Sequence, residues 1–152
     1  MKVGDLAPDF TLADDTGTER TLSTMLADGP VVLFFYPLAS SGGCTAESCR
    51  FRDLASEFAE FGAQRVGISA DSVEKQRTFS SVNSFDFPLL SDPGGVVAKQ
   101  FDAERSWLPM LPVKRRTFVI DTDRRVLEVI SSESKMDVHP DGALRVLRDR
   151  AA

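Results

Sequence analysis

Val31-Val32-Leu33-Phe34-Phe35-Tyr36 is an unbroken apolar run, β-branched and aromatic, that Pro37 ends. A strand with no polar alternation is one buried on both faces, so the run predicts a sheet covered by helices on both sides. Before it, Asp9-Phe10-Thr11-Leu12 reads as a short strand. Asp14 to Gly17 reads as a turn and Arg20-Thr21-Leu22 as the returning strand. After it, Ser40-Ser41-Gly42-Gly43 is a small polar loop. Phe51, Leu54, Phe58 and Phe61 then recur at helical spacing up to Gly62, a natural helix stop.

Arg65-Val66-Gly67-Ile68-Ser69 predicts the next strand, and residues 72–82 a polar surface helix. Asp92-Pro93-Gly94 opens another helix, with Val96, Val97 and Phe101 on its apolar face. Thr117 to Ile120 and Val126 to Ile130, joined by a turn over residues 121–125, predict an antiparallel hairpin. Pro140 starts a last helix carrying Leu144 and Leu147. Glu104 to Lys114, with Trp107, Pro109 and Pro112, reads as a long loop near one end of the sheet. After the N-terminal β segment the order is β-α-β-α-α-β-β-α. That order predicts one α/β domain over residues 1–152, with a thioredoxin-like fold: a central mixed sheet flanked by helices, with an N-terminal β extension.

The chain has 152 residues, enough for one sizeable core. A formal net charge of -5, from 18 basic and 23 acidic residues, argues against nucleic-acid binding, which needs a basic footprint. The apolar run at 31–36 is far below the ~20 residues of a membrane-spanning helix, and no apolar stretch behind Met1 marks a secretory signal. The expectation is a cytoplasmic protein without membrane contact. In that reducing setting a close cysteine pair such as Cys44 and Cys49 is more often catalytic, redox-sensing or metal-binding than a structural disulfide.

Cys44 follows the glycine loop and falls in the first helical turn, where the positive end of the helix dipole favours a thiolate. Such a nucleophile reacts with a peroxide oxygen to give sulfenic acid. The bland alternative is a buried cysteine that only packs. Five residues along an intact helix turn about 140° and rise about 7.5 Å, which puts the two Cα atoms about 8.6 Å apart. That exceeds the roughly 7 Å limit for a disulfide, so a Cys44–Cys49 bond requires a turn of helix to unwind. A metal site is a competing reading, but two cysteines and the lone His139 fall short of four zinc ligands unless carboxylates join. His139 itself reads as a surface or helix-start residue.

The chain resembles the peroxiredoxins, specifically the bacterioferritin-comigratory-protein or PrxQ class. The residues that carry the resemblance are Val3-Gly4-Asp5 through Thr11-Leu12, Phe34-Phe35-Tyr36-Pro37, Gly43-Cys44-Thr45-Ala46-Glu47, Phe51-Arg52-Asp53, Phe87 to Asp92 and Arg116 to Asp121. The family pattern Pro-x-x-x-Thr/Ser-x-x-Cys, with a distant arginine, falls on Pro37, Ser41, Cys44 and Arg116. Lys114 and Arg115 stand beside Arg116, which directly precedes Thr117-Phe118 and is the motif match.

The resemblance implies that Cys44 is the peroxidatic cysteine and Cys49 its resolving partner in an intramolecular disulfide. It also implies that Pro37 shields the thiol, that Ser41 hydrogen-bonds peroxide or thiolate, that Arg116 stabilises the thiolate, and that Glu47 helps the loop's geometry. The usual Thr-Pro-Gly-Cys stretch is Ser41-Gly42-Gly43-Cys44 here, so the loop lacks its proline.

The implied substrates are hydrogen peroxide and organic hydroperoxides, and the implied reductant is thioredoxin or a similar dithiol. No metal, haem or flavin is called for, and the expected state is a monomer or weak dimer. The rival reading is a redox-switched binding module on the same fold. A general disulfide oxidoreductase would favour a Cys-x-x-Cys pair, which the sequence lacks.

Overall fold

The computed structural model describes residues 1–104 and 113–152. Its centre is a five-stranded mixed sheet in the order β5-β4-β3-β6-β7. The strands are β3 (Val31–Phe35), β4 (Gln64–Ser69), β5 (Leu89–Ser91), β6 (Arg116–Ile120) and β7 (Val126–Ser131). β3 pairs parallel with β4 and antiparallel with β6; β4 and β5 are parallel, and β6 and β7 form the antiparallel hairpin. A separate two-stranded hairpin, β1 (Thr11–Ala13) with β2 (Glu19–Thr21), makes the N-terminal extension. The thioredoxin-like α/β architecture expected from the sequence is the one observed.

β3 is buried along its whole length because each face meets a different core. Val31, Leu33 and Phe35 join Phe118 and Ile120 of β6 on one side. There they meet α1 (Leu22–Leu26), through Leu22, Met25 and Leu26, and α5 (Val96–Gln100), through Val97 and Ala98. Val32, Phe34 and Tyr36 join Val119 on the other side. That face is covered by α2 (Gly42–Asp53), α3 (Ala55–Glu60), α4 (Val73–Asn83) and α6 (Val138–Ala151), whose buried members include Cys44, Phe51, Phe58, Phe79, Leu144 and Leu147. Phe34 stacks on Phe51 with ring centroids 4.1 Å apart. Gly67 of β4 makes room for this packing, since a Cβ there would stand 2.7 Å from Leu89 and 3.0 Å from Phe34.

Several expected elements shift. The helix anticipated up to Gly62 is two helices, α2 and α3, broken at Leu54 (φ -97°, ψ 21°). The apolar spacing of Phe51 and Phe58 runs through the break and hides it. α1 and β5 were not expected; at five and three residues they are too short to show a period. Pro93–Gly95 is a 3₁₀ turn that precedes α5, and Val96 points to solvent. α6 begins at Val138, with Pro140 inside its first turn, where no backbone donor is needed. Most of the expected long loop, Glu104 to Lys114, lies outside the described residues, Trp107, Pro109 and Pro112 included. At its margins Glu104 and Val113 form an antiparallel bridge. No helix among the described residues is long and apolar enough to cross a membrane.

Candidate active site

The segment from Tyr36 to Ser41 leaves the central strand and is tied down before it turns into α2. The Tyr36 amide donates to the Ile68 carbonyl at 3.1 Å, and the Ala39 amide to Asp71 Oδ2 at 2.8 Å. Asp71 is held by the Ser69 hydroxyl at 2.7 Å. Ser40 takes the left-handed conformation (φ 65°) that reverses the chain. Pro37 stands half-buried directly after β3.

Ser41 is the N-cap of α2: its extended backbone ends the loop and its Oγ accepts from the Cys44 amide at 3.3 Å. Gly42 and Gly43, expected in the loop, are the first two residues of the helix. Cys44 therefore occupies the third position of the first turn, at the positive end of the dipole. Its side chain is fully buried on the Phe34–Phe51 face.

The guanidinium at this thiol belongs to Arg115, not to Arg116 as the motif match implied. Arg115 Nη2 donates to Cys44 Sγ at 3.4 Å, and Arg115 Nη1 to Glu47 Oε1 at 3.0 Å. Arg116 instead donates to the Ser131 hydroxyl on the neighbouring strand. The cause is strand parity: successive side chains face opposite ways. Arg115, Thr117 and Val119 look toward α2 and α6, whereas Arg116 shares its face with Phe118 and Ile120. The polar Thr117 inside an otherwise apolar strand was the available signal for which face carries chemistry.

Glu47, one helical turn beyond Cys44, is not a loop residue; it is completely buried beneath the site. Burial pushes its carboxyl up to about 8, with Arg115 pulling the other way and Glu133 adding to the rise. Burial works against the Arg115 charge, but Glu47 and Cys44 together more than offset it. His139 is at a helix start, as read, but it is buried rather than on the surface. Its Nδ1 pairs with the Thr117 hydroxyl and its Nε2 with the Ser132 carbonyl, each at 2.8 Å. Burial keeps the imidazole's pKa below its ordinary value. The sequence could not nominate His139, because its role comes from a fold that brings α6 against α2.

Gly43 lies under the Arg115 guanidinium, where a Cβ would come within 3.3 Å of Nη2 and 3.6 Å of Met136 Sδ. Cys44 and Cys49 are both free thiols, and α2 runs unbroken through them. Cys49 is half-buried against the end of α4, its Sγ 3.6 Å from Asn83 Oδ1. Arg52 Nη1 donates to the Asn83 carbonyl at 2.7 Å and Arg65 Nη1 to the Phe51 carbonyl at 2.9 Å, so the last turn of α2 is pinned to the body of the protein.

A buried cysteine at the start of the helix after the central strand, facing an arginine on a thioredoxin-like sheet, defines a thiol-based redox protein. Residues 3–129 match the model of the AhpC/TSA family. The peroxidoxin BcpB from Mycobacterium tuberculosis is 62% identical and superposes with a TM-score of 0.94 over 98% of this chain and 97% of its own. The chloroplastic peroxiredoxin Q of Sedum lineare is 37% identical over 145 residues, covering 95% of this chain and 77% of the relative. The bacterioferritin comigratory protein of Xanthomonas campestris, a protein with alkyl peroxide reduction activity, is 31% identical, with a TM-score of 0.87 over 100% of both chains. The chain belongs to the AhpC/TSA family as a peroxiredoxin of the bacterioferritin-comigratory-protein or PrxQ class, and its activity is that of a thiol peroxidase.

Proposed function

We propose that the protein reduces hydrogen peroxide and organic hydroperoxides with Cys44 as the nucleophile, Cys49 as the resolving thiol and a thioredoxin-like dithiol as the reductant. The observation that carries this reading is the 3.4 Å contact from Arg115 to the buried Cys44 thiol. A fixed cation there favours the thiolate and the negative charge that develops on the departing oxygen. The alkyl peroxide activity of the Xanthomonas relative supports organic hydroperoxides as substrates.

The thiolate attacks the O–O bond, water or alcohol leaves, and Cys44 becomes a sulfenic acid. Ser41 holds the Cys44 turn as its cap, and Pro37 begins the segment that covers the thiol. The first turns of α2 then unwind while its last turn, at Phe51 and Arg52, stays pinned, and Cys49 condenses with the sulfenic acid. The donor reopens the disulfide by thiol–disulfide exchange. The test is NADPH-coupled turnover with thioredoxin and thioredoxin reductase, using hydrogen peroxide and an alkyl hydroperoxide. Multiple turnovers with a Cys44–Cys49 disulfide in the oxidised protein are expected. A disulfide that forms without sustained peroxide consumption would favour a redox-switched binding module instead.

A further inference from the structure

Cys44, Arg115 and Glu47 form a buried chain with one cation between two potential anions: Sγ to Nη2 at 3.4 Å, Nη1 to Oε1 at 3.0 Å. The Arg115 side chain is 7% exposed and that of Glu47 0%. If thiolate and carboxylate were both ionised, this pocket would hold a net negative charge away from water, a costly state that buried groups avoid by taking up a proton.

The second carboxyl oxygen shows which group takes it. Glu47 Oε2 is buried and has no hydrogen-bond partner among the described residues; His139 Nδ1 lies 3.6 Å away. The Ser132 carbonyl can only accept, so His139 Nε2 carries the ring proton. In the neutral ring Nδ1 is then an acceptor, already served by the Thr117 hydroxyl. An ionised Oε2 would face the Nδ1 lone pair with no donor to satisfy its charge, a repulsion that a protonated Oε2 avoids.

The other charged groups around Glu47 and His139 leave this arrangement in place. Glu133, after β7, accepts from the Arg115 amide and is exposed, and its charge disfavours ionising Glu47. Burial disfavours a charged His139, with Arg115 and Arg116 adding to it and the Ser132 carbonyl and Glu133 opposing; the net direction keeps the ring neutral.

We propose that Glu47 is a protonated partner of the Cys44 thiolate and gives up that proton when Cys44 is oxidised, so that the cluster around Arg115 stays neutral through the reaction. This rests on the function proposed above, and Glu47 acts through Arg115 as a positioning residue. In the peroxide step an S–O bond forms and the O–O bond breaks. Sulfur loses two electrons to the peroxide, and the departing alkoxide or hydroxide takes a proton. Cys49 then displaces water from the sulfenic acid, its own proton leaving with that water. The sum is thiolate, thiol, hydroperoxide and one proton giving disulfide, alcohol and water. Glu47 supplies the one proton and ends as a carboxylate paired with Arg115.

Proton counting tests this. Reduced protein at neutral pH, in weakly buffered solution with a pH indicator, is mixed with one equivalent of hydrogen peroxide, and disulfide is quantified by mass spectrometry. Cys44 ionisation is verified by thiolate absorbance. The wild type should take up about zero protons per disulfide and Glu47→Gln about one. A full proton taken up by the wild type, or none by Glu47→Gln, overturns the proposal while leaving the disulfide cycle standing.

Infrared difference spectra give a readout that needs neither the variant's stability nor disulfide formation. The reduced wild type should show a carboxylic-acid C=O band that vanishes when Cys44 is oxidised. If no such band is lost although the thiolate is consumed, Glu47 was ionised from the start and the inference fails. If peroxide leaves the thiolate itself untouched, the failure is that of the proposed function.

Discussion

Arg115 and Cys44 are 71 residues apart in the chain, yet the arginine's Nη2 donates to the thiol sulfur at 3.4 Å. The contact exists because β6 lies beside β3 in the sheet, and the helix that follows β3 starts over the same face. The same guanidinium reaches Glu47. A single side chain thus touches both the thiol and the carboxyl buried behind it.

Arg115→Ala is expected to lower the rate of Cys44 oxidation by about 100- to 1,000-fold, the usual loss when a donor to a developing anion is removed. Arg116→Ala should stay near the wild-type rate, because its guanidinium serves Ser131 on the opposite face. Stopped-flow peroxide kinetics on both variants separates the two; a slow Arg116→Ala with a normal Arg115→Ala would reverse the assignment.

Cys44→Ser should be inactive with its fold intact, since a hydroxyl of similar size cannot supply a thiolate. Cys49→Ser should react once with peroxide and stop at sulfenic acid, drifting to sulfinic acid under excess oxidant. Intact-mass measurement after one and after many equivalents reads both outcomes. Thioredoxin-linked turnover by Cys49→Ser at the wild-type rate would remove Cys49 from the cycle.

Gly42 and Gly43 are neighbours in the first turn of α2 but should respond differently to alanine. A Cβ on Gly42 meets nothing within 4 Å, so Gly42→Ala should stabilise the helix by roughly 0.5–1 kcal/mol and leave the peroxide rate unchanged. A Cβ on Gly43 crowds Arg115 Nη2 at 3.3 Å and should slow Cys44 oxidation whatever it does for the helix. Gly42→Pro fits the first helical position after an extended Ser41 (φ -73°, ψ 158°). It should raise stability by about 0.4–1 kcal/mol. It should also slow disulfide formation, because α2 then resists unwinding. Chemical denaturation and rapid-quench mass spectrometry check the set.

The raised Glu47 pKa has a stability consequence with a definite sign. A carboxyl that titrates near 8 when folded and in the ordinary carboxylate range when unfolded leaves the folded state holding the extra proton between those limits. Its contribution is complete below the unfolded value and is lost as pH rises through about 8. Denaturation midpoints of the wild type should therefore decline from pH 5 to pH 8 relative to those of Glu47→Gln, which has no proton to lose. Parallel curves for the two proteins would show that Glu47 is ionised throughout.

The central strand, the hairpin at 117–130 and the placement of Cys44 at a helix start were legible in the sequence. Each is written in local pattern: an apolar run that a proline ends, two runs flanking a turn, and small residues before an apolar period. Helical geometry alone also stated that Cys44 and Cys49 cannot bond without unwinding, and α2 does run unbroken through both. What the chain could not state is which side chains meet across the sheet. Arg115 and Arg116 differ by one position, and only the pairing of β6 with β3 and the side on which α2 packs decide which of them faces the thiol. Glu47 reads as a helper of loop geometry by resemblance, and His139 as a surface or helix-start residue, because local pattern carries no sign of burial for either. The contact of α2 with α6 buries both, and that burial, a property of tertiary packing, turns a carboxyl and an imidazole into part of the site.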